Sequence, residues 1–184
     1  MVSDPGSVYN DDASIPDDEV LLRRVTMPAG KTGHWRYEEG RFVVPGKAWE
    51  DPRDEPSVYL KSVVNINLLL SNCGASPAPE DNGCFGVHAG AVRSITTILQ
   101  RDGKGKPISD RPFTVDAVST PSECESHAHA VVKTIEPVQS AKREIRQLMQ
   151  QSLSLIADEY INGVRAGGGW ERIPPGLQEL QART

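Results

Sequence analysis

Several kinds of sequence feature are missing from this chain of 184 residues, and each absence argues against a class of protein. No apolar stretch reaches the about 18 residues that a membrane-spanning helix needs, which disfavours an integral membrane protein. The first twenty residues are polar and acidic, without the basic start and apolar run of a secretory signal. The sequence therefore predicts a cytoplasmic protein that binds no membrane.

Recognisable catalytic motifs are also absent. The chain contains no G-x-S-x-G or H-E-x-x-H pattern, and no S-x-x-K with its partner motifs. Residues 103–106 lack the length and the terminal Ser or Thr of a P-loop, and the glycines at 167–169 follow a predicted helix instead of opening one. No phosphate loop and no cofactor are therefore predicted.

Positive charge is scarce where nucleic acid would need it. The net charge is −5, of which residues 1–19 contribute −6, so the rest of the chain sums to +1. A nearly neutral body offers no large basic surface to phosphate backbones, which argues against generic nucleic-acid binding.

Cysteines are few and odd in number: Cys73, Cys84 and Cys124. An odd count in a chain without a secretory signal is typical of a reduced compartment, so all three are expected to be free thiols.

A modest core and much irregular chain are expected, because hydrophobic residues make up 38% of the sequence, with 16 Gly and 14 Pro. Residues 1–14 are predicted to be an acidic mobile tail, and residues 15–184 a single α+β domain. A short helix is predicted from Ser14 to about Val25, where a cap candidate, an early Pro and acidic residues precede an apolar run.

The strand predictions rest on period-two patterns and turn residues. Residues 34–37 and 41–44 flank a Gly-containing turn and predict a hairpin, and 85–87, 113–118 and 128–135 predict further strands. Residues 89–99 are interpreted as a helix or a turn leading into another strand. Residues 58–70 favour a strand, although a helix also fits part of that stretch.

The clearest local pattern predicts an amphipathic helix within residues 137–164. Its apolar arc consists of Ala141, Ile145, Leu148, Met149, Leu153, Ile156 and Tyr160. The predicted fold class is therefore α+β: a small, mostly antiparallel sheet with a long amphipathic C-terminal helix packed on it.

Two Cys/His pairs are candidates for a zinc site, because Zn²⁺ prefers thiolate and imidazole ligands. They are Cys84 with His88, and Cys124 with His127. Their spacing fits no common zinc motif, and free cysteines are usually buried, so the favoured prediction is that no metal binds.

The histidines are also candidates for general acid and base catalysis. His127 and His129 differ by two positions, so on a strand their side chains share a face, and His88 is a third candidate. The competing interpretation is a sheet surface with exposed histidines.

A cluster of basic residues near the start of the predicted long helix opposes the helix dipole. Lys142, Arg143 and Arg146 are therefore candidates to bind a phosphate-containing substrate or another anion.

The predicted function is a non-catalytic interaction or accessory subunit, because catalytic motifs are missing and the apolar arc of the long helix is wider than a surface helix needs. Leu148 and Leu155, at the edge of that arc, are the predicted interface to a protein partner or a second copy. The alternative is a histidine-based enzyme, with or without a metal, acting on a phosphate-containing substrate.

Overall fold

The computed structural model describes residues 11–26, 36–38, 41–43, 49–51, 55–70, 82–99, 104–107 and 113–134. Within these ranges the chain forms a five-stranded antiparallel sheet, two two-stranded ribbons and two short helices. None of the described helices is long and apolar enough to cross a bilayer. The sheet confirms the antiparallel part of the predicted fold, whereas residues 137–164, predicted to hold the long helix, lie outside the described residues.

The elements follow one another along the chain as β1 Val20–Thr26, β2 Arg36–Glu38, β3 Arg41–Val43, β4 Ser57–Leu60, α1 Ile66–Leu70, β5 Asn82–His88, α2 Ala89–Arg93, β6 Thr97–Leu99, β7 Gly105–Pro107, β8 Phe113–Ala117 and β9 His129–Thr134. The main sheet has the order β5-β1-β4-β9-β8. Every neighbouring pair in it is antiparallel.

Strand β1 replaces the short helix predicted to begin at Ser14, and that prediction is wrong. Two turns precede the strand: the Ile15 N–H donates to the Asp12 carbonyl at 3.1 Å, and the Glu19 N–H donates to the Pro16 carbonyl at 3.0 Å. Strand β1 lies between β5 and β4, and both Leu21 and Leu22 are buried although they face opposite sides of the sheet. A strand that is covered on both faces has a continuous apolar run, and such a run resembles the beginning of a helix in sequence.

Residues 58–70 contain both structures that their pattern allowed. Strand β4 ends at Leu60, and the Val64 N–H then donates to the Leu60 carbonyl at 2.9 Å as the chain turns toward α1. Val64 and Leu69 pack in one buried cluster with Leu22. The prediction of a single strand is therefore correct only as far as Leu60. Beyond it, the helical spacing of the apolar residues lets Val64 and Leu69 pack in the core.

The remaining strand predictions are confirmed. Strands β2 and β3 pair as the predicted hairpin, and β5, β8 and β9 cover the predicted strands with small shifts at their ends. Residues 89–99 form α2 followed by β6, which pairs with β7.

The strand register divides the core between the two faces of the sheet. One face carries Leu22, Tyr59 and His129 side by side, because Leu22 is opposite Tyr59 and Tyr59 is opposite His129. The other face carries fully buried aliphatic residues, namely Leu21, Val58, Val87 and Val115. Helix α2 contacts both edge strands, β5 and β8, so the sheet curves round it.

Residues 11–19, which we call the N-terminal strap, are fastened to α2 by one arginine. The Arg93 guanidinium donates to Asp11 Oδ1 at 2.9 Å, to Asp17 Oδ1 at 2.7 Å, and to the carbonyls of Asp12 at 3.0 Å and Ile15 at 2.9 Å. Burial opposes the charge of Arg93, but its hydrogen bonds to Asp17 and Asp11 outweigh this effect and raise the pKa of Arg93. The strap is thus held by polar contacts together with the burial of Ile15.

Close backbone approach completes this attachment. The Gly90 N–H donates to the Asp17 carbonyl at 2.9 Å, and the Ala89 N–H donates to the Glu19 carbonyl at 2.9 Å. A Cβ atom at Gly90 would lie 2.8 Å from Asp17 Cβ, closer than real contacts allow. The glycine therefore lets the strap lie directly on α2.

Candidate functional site

His129, a predicted catalytic residue, lies at the start of β9 and is only 6% exposed. Its Nδ1 lies 2.9 Å from Thr120 Oγ1, and its ring centroid lies 5.4 Å from that of Tyr59. Its Nε2 is buried and has no hydrogen-bond partner among the described residues. Burial lowers the pKa of His129, opposed by the charge of Glu123, so the ring is neutral near pH 7.

Tyr59 links this histidine to the loop that precedes β9. Its hydroxyl donates to Glu123 Oε2 at 2.9 Å. Burial raises the pKa of Tyr59 to about 12, and the bond to Glu123 adds to this effect. The phenol therefore stays protonated and acts as a structural donor, because a group with this pKa forms almost no phenolate at neutral pH.

His127 does not join His129, so the prediction that their side chains share a strand face is wrong. Strand β9 begins only at His129, and His127 lies in the preceding turn with 61% of its side chain exposed. Its Nε2 is 3.5 Å from Glu125 Oε2, which is within ion-pair range but too long and misaligned for a hydrogen bond. The alternative of two exposed histidines is also wrong, since His129 is buried.

His88 lies in a different part of the sheet. It ends β5 opposite Val20, and its Nδ1 is 3.2 Å from the Asp18 carbonyl of the strap. Two strands, β1 and β4, separate β5 from β9. The three candidate histidines therefore do not converge on one site.

The cysteines differ from one another, and the expectation of three free thiols is wrong. Cys84 is a free, buried thiol, and burial raises its pKa to about 12. Cys124 is disulfide-bonded, so it offers no thiolate to a metal. Cys73 lies outside the described residues. Disulfides are rare in reduced compartments, so the cysteines do not favour a cytoplasmic location.

The two halves of the candidate zinc site are likewise apart. Cys84 and His88 belong to β5, whereas Cys124 and His127 belong to the turn before β9. The described part of the chain contains no group of three or more Cys, His, Asp or Glu side chains that could hold a metal ion.

Cys84 is expected to react with a thiol reagent such as Ellman's reagent only after unfolding. A buried thiol with a pKa near 12 carries almost no thiolate at pH 8. Without reductant, the native protein should release almost no chromophore, and the protein in guanidinium should release one equivalent per chain. Three equivalents after unfolding without reductant would show that Cys124 is not disulfide-bonded.

A cavity of about 650 Å³, with none of the candidate histidines in its lining, lies between the strap and the turn after β4. One of its walls is the buried Glu19 carboxylate, which accepts the N–H groups of Ser62 and Val20 at 3.1 Å each and the Ser62 hydroxyl. These donors occupy the carboxylate, so Glu19 fastens the strap to the end of β4. The remaining lining is mainly apolar, including Ile15 and Val63.

The other predicted site residues lie outside the described residues. They are the anion candidates Lys142, Arg143 and Arg146 and the interface candidates Leu148 and Leu155.

Sequence reasoning missed Tyr59 and Thr120, which contact His129 directly, whereas Glu123 is predicted from its nearness in the sequence to act on the histidines. Tyr59 was visible only as one member of an alternating strand pattern. Its meeting with His129 depends on the pairing of β4 with β9, which the pattern of either strand alone does not specify.

No family model matches the chain, and neither curated proteins nor solved structures include a significant match to it.

Proposed function

We propose that this protein is a non-catalytic interaction or accessory subunit that acts by associating with a protein partner or a second copy. The observation that carries the proposal is the separation of the candidate catalytic groups. His129 is buried and neutral, His127 is exposed in a turn, and His88 lies two strands away. General acid and base catalysis needs such groups within hydrogen-bond reach of one substrate.

The cysteines support the same conclusion. A nucleophilic or metal-binding cysteine must be a thiolate, and Cys84 is held as a buried thiol while Cys124 is disulfide-bonded. The histidine-based enzyme therefore gains no support from the described residues. A cytoplasmic location stays a prediction.

The predicted helix supplies the associating surface in this proposal. The apolar arc between residues 141 and 162 is wider than the about 100° stripe that one sheet face covers. We propose that Ile145, Met149 and Leu153 face the sheet, and that Leu148 and Leu155 at the edge of the arc contact the partner.

Replacing both Leu148 and Leu155 by glutamate is expected to weaken association by about 30-fold or more, because burying one leucine side chain contributes about 2 kcal/mol. Sedimentation velocity over a wide concentration range measures self-association. Circular dichroism should show an unchanged fold.

The matched control is Gln147→Glu with Gln151→Glu, which adds the same charge to the opposite side of the predicted helix. This control should associate like the wild type. Equal loss in both variants would point to charge repulsion in general instead of a defined interface, and a wild type that stays monomeric and recovers no partner from lysate would oppose the proposal.

A further inference from the structure

Strand β8 is an edge of the sheet, and its outward backbone groups are occupied by the strap. The Val115 N–H donates to Asp11 Oδ1 at 3.1 Å, and the Asp12 N–H donates to the Val115 carbonyl at 2.8 Å. In an antiparallel pair the outward groups belong to alternate residues. The Val118 N–H donates inward to β9, so Phe113, Val115 and Ala117 carry the outward groups of this edge.

Asp11 and Asp12 of the strap thus occupy the position that a neighbouring strand would take beside β8. Hydrogen bonds also hold the side chain of Asp12, because its carboxylate accepts the Ser14 hydroxyl at 2.6 Å and the Ser14 N–H at 2.9 Å. These bonds lower the pKa of Asp12, with a smaller contribution from the Ala117 backbone. Natural proteins protect open sheet edges with charged residues in this manner.

We propose that the strap is a detachable cover for the β8 edge, and that the partner which replaces it is the β8 strand of a second copy. The proposal rests on the proposed function, since it names a partner and the device that regulates association. It rests on residues other than Leu148 and Leu155, so either proposal can fail alone.

The register of β8 makes it complementary to itself. An antiparallel pairing centred on Val115 places Val115 opposite its own copy, where the two residues exchange both outward hydrogen bonds. Phe113 then lies opposite Ala117 of the second copy, a large side chain beside a small one. Thr114 lies opposite Asp116, a donor beside an acceptor, and no like charges face each other. Such a pairing closes with twofold symmetry.

The part of the strap that covers β8 is polar, which suits Asp11 and Asp12 to release while the buried Ile15 stays in place. The main clamp of the strap, Arg93, joins Asp11 and Asp17, and salt screens the pair with the exposed Asp17. Both copies must open before they pair, so the apparent dissociation constant rises as the inverse square of the open fraction. A strap that is open about 10% of the time weakens pairing about 100-fold.

The test removes the cover by Asp11→Ala with Asp12→Ala, both in the wild type and in the Leu148→Glu/Leu155→Glu protein. Sedimentation velocity should show a dimer whose dissociation constant is about 100-fold lower than that of the parent in either background. Hydrogen exchange should show the Val115 amide exchanging faster at low concentration and slower once the dimer forms.

The control is Asp18→Ala, which removes a negative charge from the strap itself. Asp18 makes none of the β8 contacts through its side chain, so this control should behave as its parent. Adding Ala117→Pro to the uncovered protein removes an outward donor without removing a bond to β9, and it should abolish the dimer.

Two results overturn the proposal. The first is an unchanged exchange rate at Val115, which shows that the strap does not cover the edge. The second is a folded, fast-exchanging variant that keeps the monomer mass, which shows that no second copy binds there. If the double variant fails to fold, Asp11→Asn alone weakens the Arg93 clamp, and the same two results decide.

Discussion

Replacing Arg93 by alanine is expected to lower the free energy of unfolding by about 2–4 kcal/mol, because partly buried acceptors lose a charged donor. The side chain is only 11% exposed and donates to four acceptors in the strap. Asp17 is largely exposed, so water replaces its lost hydrogen bond. The loss of stability therefore comes mainly from Asp11 and the two carbonyls. Urea denaturation measures the change.

Two further variants separate the causes of that loss. Arg93→Lys keeps the charge but cannot reproduce the fork of donors, so it should recover only part of the stability. Lys106→Ala removes a positive charge from exposed strand β7 and should change stability by about 0.5 kcal/mol or less. An Arg93→Ala protein as stable as Lys106→Ala would show that the strap does not contribute to the fold.

Stability is expected to fall as the pH drops below about 6.5, with His129 contributing up to about 1.4 kcal/mol per pH unit. Burial lowers the pKa of His129 in the folded state. Between the lowered folded pKa and the unfolded value, the unfolded chain therefore binds more protons, and acid favours unfolding. The contribution is fully present above the unfolded pKa and is lost as the pH falls toward the folded pKa.

His129→Phe should flatten this pH dependence, because it removes the titrating ring while keeping a buried aromatic side chain. His127→Ala is the matched control, since His127 is exposed and should leave most of the dependence in place. Denaturation midpoints measured from pH 8 to pH 5 give the comparison. Equal slopes for His129→Phe and the wild type would show that His129 is not the responsible group.

The sequence predicted strands well where the local pattern decides them. Strands β8 and β9 and the β2–β3 hairpin follow from alternation and turn residues. Strand β1 was mistaken for a helix because its apolar run is continuous, and only its central place between β5 and β4 explains that run. Local pattern does not show how many faces of a strand are covered.

The contacts that matter most join distant parts of the chain. Arg93 meets Asp11 across 82 positions, and Tyr59 meets Glu123 across 64. No spacing rule links such residues, so the strap and the burial of His129 could not be derived from one sequence. The separation of the histidines could not be derived either, because it depends on the order of the strands in the sheet.

The most direct test of an associating, non-catalytic role is the mass of the wild-type protein in solution, measured by sedimentation equilibrium over a wide concentration range. Association predicts a mass that rises with concentration above that of one chain, or a stable complex with a partner co-purified from its source. A protein that keeps the mass of one chain at every concentration, and forms no such complex, would contradict it.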